Sequence, residues 1–93
     1  MKFAKKSLGQ NFLNDKNIIR KIVNIVDVRN KNIIEIGPGK GALTEEILKN
    51  NPKSLILIEK DNSLFENLNL KFSANNILEF YNDDILNLNI EKI

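Results

Sequence analysis

Apolar positions along the chain switch repeatedly between two spacings. In "NDKNIIRKIVNIVDV" the residues Ile18, Ile19, Ile22, Val23 and Val26 recur at helical intervals, with Asn14 or Asp15 available as an N-cap, which predicts an amphipathic helix over residues 15–27. After the turn "RNKN", the short β-branched run "IIEI" has the character of a strand buried on both faces. "ALTEEILKN" (42–50) predicts a second helix with Leu43, Ile47 and Leu48 facing inward and Glu45 and Glu46 in its first turns, where the helix dipole favours negative charge. Asn50, Asn51 and Pro52 end it. "SLILI" (54–58) is a second buried strand closed by Glu59, and Asp61 is placed to cap a third helix through "NSLFENLNLKF" with Leu64, Phe65 and Leu68 inside. "NILEFY" (76–81) is the third strand, ending near Asp83 and Asp84, and "ILNLNIEKI" (85–93) begins another amphipathic element. The order, a helix and then βαβαβ, implies a parallel sheet with helices on its faces, half of a doubly wound α/β fold.

Length and composition narrow this further. Ninety-three residues hold one small domain with a modest core. The longest apolar stretches are four or five residues, far short of a membrane span, so no membrane partner is expected. With no cysteine and no histidine, disulfides, thiolate metal sites, cysteine nucleophiles and histidine bases are excluded, and no metal is expected. The N-terminus "MKFAKKSLGQNF" is basic but has no apolar segment of the kind that marks a secretion signal, which points to the cytoplasm.

Charge is unevenly distributed. Residues 1–31 carry eight Lys or Arg against two Asp, and residues 32–93 carry six against ten Asp or Glu. A basic front on an acidic body suits a polyanion approached from that side, with Lys2, Lys5, Lys6, Arg20 and Lys21 as candidate RNA contacts. Twelve Lys beside sixteen Asn and fourteen Ile fit a general compositional bias equally well, so both readings stay open.

The candidate chemistry lies in "EIGPGKGAL", where a predicted strand releases three glycines in five positions before a predicted helix. Such a loop, with an acidic residue about twenty positions on, is the setting of a nucleotide-binding turn, and Glu59 is that residue, placed to accept both ribose hydroxyl hydrogens. Gly37, Gly39 and Ala42 also satisfy the dinucleotide pattern G-x-G-x-x-A, so NAD binding is a real alternative. Two features oppose it: Pro38 has no N–H for a phosphate, and Glu35 sets a negative charge near where a pyrophosphate would lie. A cationic or zwitterionic adenosyl ligand fits better. S-adenosylmethionine offers an ammonium to an acidic group near Glu35, a ribose to Glu59 and an adenine amine to Asp84. Three carboxylates, Glu35, Glu59 and Asp84, are thus expected at the C-terminal ends of three successive strands, the side on which open α/β sheets bind ligands. Capping, solvation and tight-turn roles for the same residues are the structural alternatives.

These residues resemble the ribosomal RNA small-subunit adenine dimethyltransferases, a family related to the Erm methylases. The likeness is carried by "KKSLGQNFLND" (5–15), "EIGPGKGALTEEIL" (35–48), "LILIEKD" (55–61) and "NDDIL" (82–86), and the arm segment "GQNFL" ahead of the loop is its most specific part. The resemblance implies a Rossmann-like class I S-adenosylmethionine-dependent methyltransferase fold. It implies that Asn11 and Leu13 close over the cofactor from the arm, Gly37 lies against its methionine portion with Gly39 in the same loop, Glu59 holds the ribose and Asp84 meets the adenine amine. The activity implied is dimethylation of two adjacent adenosines near the 3′ end of small-subunit rRNA during ribosome biogenesis, with that RNA or the immature small subunit as partner. Phe12 and Leu13 also suit a hydrophobic staple on the first helix. The family's chemical step uses the motif Asn-(Leu or Ile)-Pro-(Tyr or Phe); the prolines here, Pro38 and Pro52, precede Gly39 and Lys53, so none of the 93 residues supplies it. The sequence is therefore expected to be the N-terminal part of such an enzyme, a basic arm at 1–14 and a Rossmann-like half at 15–93 without the C-terminal helical domain. By itself it is expected to fold marginally, bind the cofactor weakly if at all and leave RNA unmethylated. A noncatalytic RNA-binding module and a dinucleotide-binding domain are the other two readings.

Overall fold

The computed structural model describes residues 16–89 and 91. Lys2, Lys5, Lys6, Asn11, Leu13 and the two candidate caps Asn14 and Asp15 lie outside the described residues.

Helix α1 (Lys16–Val26) precedes strand β1 (Asn32–Ile36), helix α2 (Ala42–Lys49), strand β2 (Ser54–Ile58), helix α3 (Asn62–Lys71), strand β3 (Leu78–Tyr81) and a 3-10 turn at Ile85–Asn87. The strands form one parallel sheet in the order β1-β2-β3, with Ile34 opposite Ile56 and Leu57 opposite Phe80. The α/β architecture expected from the alternation is the one observed. Asp61 caps α3 as its position implies, its Oδ1 accepting from the Leu64 N–H at 2.9 Å.

Three expectations are corrected. The helices do not lie on both faces of the sheet. Val23 of α1, Ile47 of α2 and the loop residue Val28 pack with Leu55, Leu57 and Leu78, and Phe65 of α3 meets Phe80 edge-on at 6.4 Å between ring centroids. The sheet residues in these contacts belong to one face, because successive strand side chains point to opposite sides. Two crossovers of one hand between strands in simple order 1-2-3 set both connecting helices on the same side. The β1 run is consequently not buried on both faces: Ile33 and Glu35 turn toward the helices, while Ile34 and Ile36 on the other side are 41% and 59% exposed. The third correction concerns the last segment. Among its described residues the single turn Ile85–Asn87 forms, Glu91 is again in 3-10 conformation, and Leu86 is exposed.

The third strand also starts later than its apolar run, at Leu78, because the Asn75 side chain accepts from the Ile77 N–H at 3.2 Å and closes a turn there. Fully buried Leu55 and Leu57 sit at the middle of the covered face, each contributing about 1.5–3 kcal/mol by removal from water. That one-sided core fixes the height at which the three strand ends emerge.

Candidate functional site

The parallel ladder runs one residue beyond each of the first two strands. Gly37 donates its N–H to the Ile58 carbonyl at 2.8 Å, and Glu59 donates to the Tyr81 carbonyl at 2.9 Å, so both are carried to the C-terminal rim by sheet geometry. There a cavity of about 180 Å³ is lined by Ile36, Gly37, Ile58, Glu59, Asp84 and Ile85, among others. Gly37, Glu59 and Asp84, three of the residues singled out in the sequence, thus share one pocket. Asn82, which the sequence reading missed, donates from Nδ2 to the Glu59 carbonyl at 3.0 Å and joins the loop after β3 to the end of β2.

Glu59 is buried, and both of its oxygens are engaged by backbone: Oε1 accepts from Gly39 N–H at 3.1 Å and Oε2 from Asp61 N–H at 3.0 Å. An ionised carboxylate offers about four acceptor positions, so capacity for two hydroxyl donors remains. Asp84 is half-buried and uses Oδ1 to cap the 3-10 turn, accepting from Leu86 N–H at 2.9 Å. The capping alternative is therefore present in the structure, and it leaves Oδ2 for another donor.

Glu35 departs from the expected arrangement. It is not among the residues lining the rim cavity: its side chain lies on the helix-covered face, where Thr44 of α2 donates its hydroxyl to Oε1 at 2.6 Å. Of the three carboxylates expected to converge, Glu59 and Asp84 do and Glu35 does not. The cause is strand alternation, which puts Glu35 on the side of Ile33 and the core. Burial pushes its carboxyl above the ordinary carboxylate range, and the Thr44 hydrogen bond pulls in the opposite direction. A polar residue one turn into a helix after an acidic strand end was the signal for this pairing.

The glycine loop is arranged so that few of its N–H groups are free. Gly37 N–H goes to Ile58, Gly39 N–H to Glu59, and Gly41 N–H to the Pro38 carbonyl at 2.9 Å, while Pro38 has none. A pyrophosphate is disfavoured where these three glycine N–H groups are taken and the carboxylate of Glu59 already holds the loop. Gly37 and Gly39 open onto free space, since a Cβ at either would meet nothing within 4 Å. Gly41 is different: its φ is +87° and a Cβ there would stand 2.8 Å from Phe72 Cε2. Bare backbone is needed at Gly41 for packing.

Arg20 and Lys21 are both exposed on α1. Among the described residues no group of three or more His, Cys, Asp or Glu is placed to hold a metal, and no helix is long and apolar enough to cross a membrane.

The family model described as ribosomal RNA adenine dimethylase matches residues 1–93. The chain belongs to that family. A ribosomal RNA small subunit methyltransferase A from Pelagibacter ubique (strain HTCC1062) is 53% identical over 83 residues, covering 89% of this chain and 31% of that protein. Its counterpart from Mycoplasmopsis synoviae (strain 53) is 49% identical over 89 residues, covering 96% and 34%. The chain thus spans about a third of the length of the curated relatives it matches. Among solved structures, the 23S rRNA methyltransferase ErmE superposes with a TM-score of 0.73 at 31% identity, over 83% of this chain and 32% of that one. A dimethyladenosine transferase from Plasmodium falciparum gives 0.71 at 26% identity, over 81% and 28%. The Rossmann-like class I methyltransferase fold implied by the sequence motifs is the fold these comparisons share with the chain.

Proposed function

We propose that this adenine dimethylase family member forms the cofactor-binding part of an S-adenosylmethionine-dependent enzyme that dimethylates two adjacent adenosines near the 3′ end of small-subunit rRNA. The observation that carries the proposal is the pocket shared by Gly37, Glu59 and Asp84 beside a loop whose three glycine N–H groups already have partners. Negative charge on two sides suits a ligand with hydroxyls, an amine and positive charge. Glu59 accepts from the ribose hydroxyls, Asp84 Oδ2 accepts from the adenine amine, and Ile36, Ile58 and Ile85 supply the apolar walls of the adenine slot. Gly37 leaves room for the methionine portion. Bound there, the cofactor supplies an electrophilic methyl group.

Glu35 has a supporting role in this reading: by holding Thr44 it ties the end of β1 to the first turn of α2 and so sets the loop between them. Family resemblance assigns Asn11 and Leu13 to the lid over the cofactor in a cytoplasmic enzyme of ribosome biogenesis, and the uneven charge of the chain offers the basic residues Lys2, Lys5, Lys6, Arg20 and Lys21 to the small-subunit RNA or immature subunit. The motif that would hold the target amine is not within the 93 residues, so they alone are expected not to methylate RNA.

Isothermal titration of the chain with S-adenosylhomocysteine and, separately, with NAD tests the assignment. Heat from the first and none from the second is expected; the reverse supports the dinucleotide reading and overturns ours. Transfer of tritiated methyl groups to small-subunit rRNA by the purified chain, above a Glu59→Ala control, would show that the 93 residues are catalytically sufficient and contradict the division of labour proposed here.

A further inference from the structure

We propose that Lys71, at the end of α3, is a positioning residue that locks the glycine loop in its ligand-accepting shape; the inference rests on the adenosyl reading above. The Lys71 Nζ donates to the Lys40 carbonyl at 3.1 Å, across thirty-one residues of sequence. That carbonyl and the Gly41 N–H belong to one peptide unit, whose N–H is held by the Pro38 carbonyl at 2.9 Å. Both ends of the peptide are therefore fixed, in opposite directions. The unit joins Lys40 to Gly41, and Gly41, at positive φ and without a Cβ, offers little steric resistance to its rotation once the carbonyl is released.

The same helix end supports the loop from below. Phe72 Cε2 and Leu68 Cδ2 would lie 2.8 and 3.2 Å from a Cβ on Gly41, so the loop backbone rests directly on α3. Among the described residues, two side chains bond to the backbone of residues 37–41: Glu59 through Gly39 N–H, and Lys71 through Lys40 O. Glu59 faces the rim cavity, whereas neither Lys71 nor Lys40 lines it. Lys71 therefore acts on the ligand only through the loop. Its second contact, Glu45 Oε2 at 3.6 Å, is an ion pair between half-exposed groups, which contributes little by itself.

The test uses the full 93-residue chain as wild type, Lys71→Met, Lys71→Arg and Glu45→Gln. Binding of S-adenosylhomocysteine is followed by NMR titration, and the exchange of the Gly41 amide is measured without ligand. Lys71→Met is expected to weaken binding about fivefold, the loss of one charge-assisted hydrogen bond at a partly solvated site, and to speed Gly41 exchange while the melting temperature stays within about 2 °C. Lys71→Arg, which keeps a donor, restores both readings, and Glu45→Gln changes neither. Unchanged affinity and exchange in Lys71→Met overturn the proposal and leave the adenosyl site standing. A fall in melting temperature that tracks the affinity loss makes Lys71 a structural residue and also overturns it. Absence of binding by the wild type removes the adenosyl reading and this role with it.

Discussion

The two ends of the sheet each hold a cavity, and the larger one is the less suited to chemistry. At the N-terminal ends of the strands a space of about 410 Å³ is lined by Leu48, Asn51, Pro52, Ala74, Asn75, Asn76 and Ile77, with no charged side chain among them. At the C-terminal ends the space is about 180 Å³, and Glu59, Lys60, Asp83 and Asp84 all face it. The difference comes from what lies just past each strand end. Below, the connections are laced by backbone, Lys53 N–H to the Lys31 carbonyl at 2.8 Å and Asn30 N–H to the Asn51 carbonyl at 2.9 Å, and by neutral side chains, the Ser54 hydroxyl donating to Asn32 Oδ1 at 2.6 Å. Above, side-chain carboxylates replace backbone carbonyls as acceptors, and acceptors with spare lone pairs make a binding site. Volume is a poor guide to function here; unspent hydrogen-bonding capacity is a better one.

The largest effect that would sharpen the contrast comes from Glu59→Ala. Removing an acceptor of two ribose hydroxyls is expected to weaken S-adenosylhomocysteine binding by about thirtyfold to a hundredfold, whereas Asn51→Ala and Asn76→Ala at the other end should leave it unchanged. Equal losses from the two ends would erase the distinction. Next in size, Gly41→Ala combines left-handed strain with a contact at Phe72 and is expected to cost about 3 kcal/mol in urea unfolding. Gly37→Ala, with the same strain but open space around it, is expected to cost about 1 kcal/mol. A reversed order would mean that the loop does not rest on α3.

The smallest effect is a pH dependence centred on Glu35. Its carboxyl titrates above the ordinary range when folded, so the folded chain holds that proton more firmly than the unfolded chain does. The associated stability is complete below the unfolded carboxyl's pKa and is lost as pH rises through the folded one. Glu35→Gln keeps an acceptor for Thr44 without a charge to desolvate. Its melting temperature, relative to wild type, should therefore rise from about pH 4 to about pH 8. A flat difference would show that the buried carboxylate is stabilised by more than Thr44.

Much of this arrangement is legible in the residues themselves. The helical period and the short apolar runs locate the helices and strands to within about two residues, and Glu59 and Asp84 are recognisable because each closely follows an apolar run that ends at the rim. Glu35 was misplaced for want of parity: being acidic and near a strand end says nothing about which side of the sheet it faces, and the register with Leu57 decides that. The run "IIEI" looks buried on both sides because β-branched residues fill covered and uncovered faces alike, and only the shared handedness of two crossovers leaves Ile34 and Ile36 bare. Lys71 carried no local sign at all. Its partner is brought to it by the path of α3 back over the loop, a long-range event that no window of sequence contains.

Amide shift mapping on the labelled chain during addition of S-adenosylhomocysteine tests most directly whether the carboxylate-lined end of the sheet is the binding end. The expected result is perturbation concentrated at Gly37, Gly39, Glu59, Lys60 and residues 83–85, with Asn51 and residues 74–77 unmoved. Shifts gathered at the N-terminal cavity, or none at the rim under saturating ligand, would contradict the site assigned to Glu59 and Asp84.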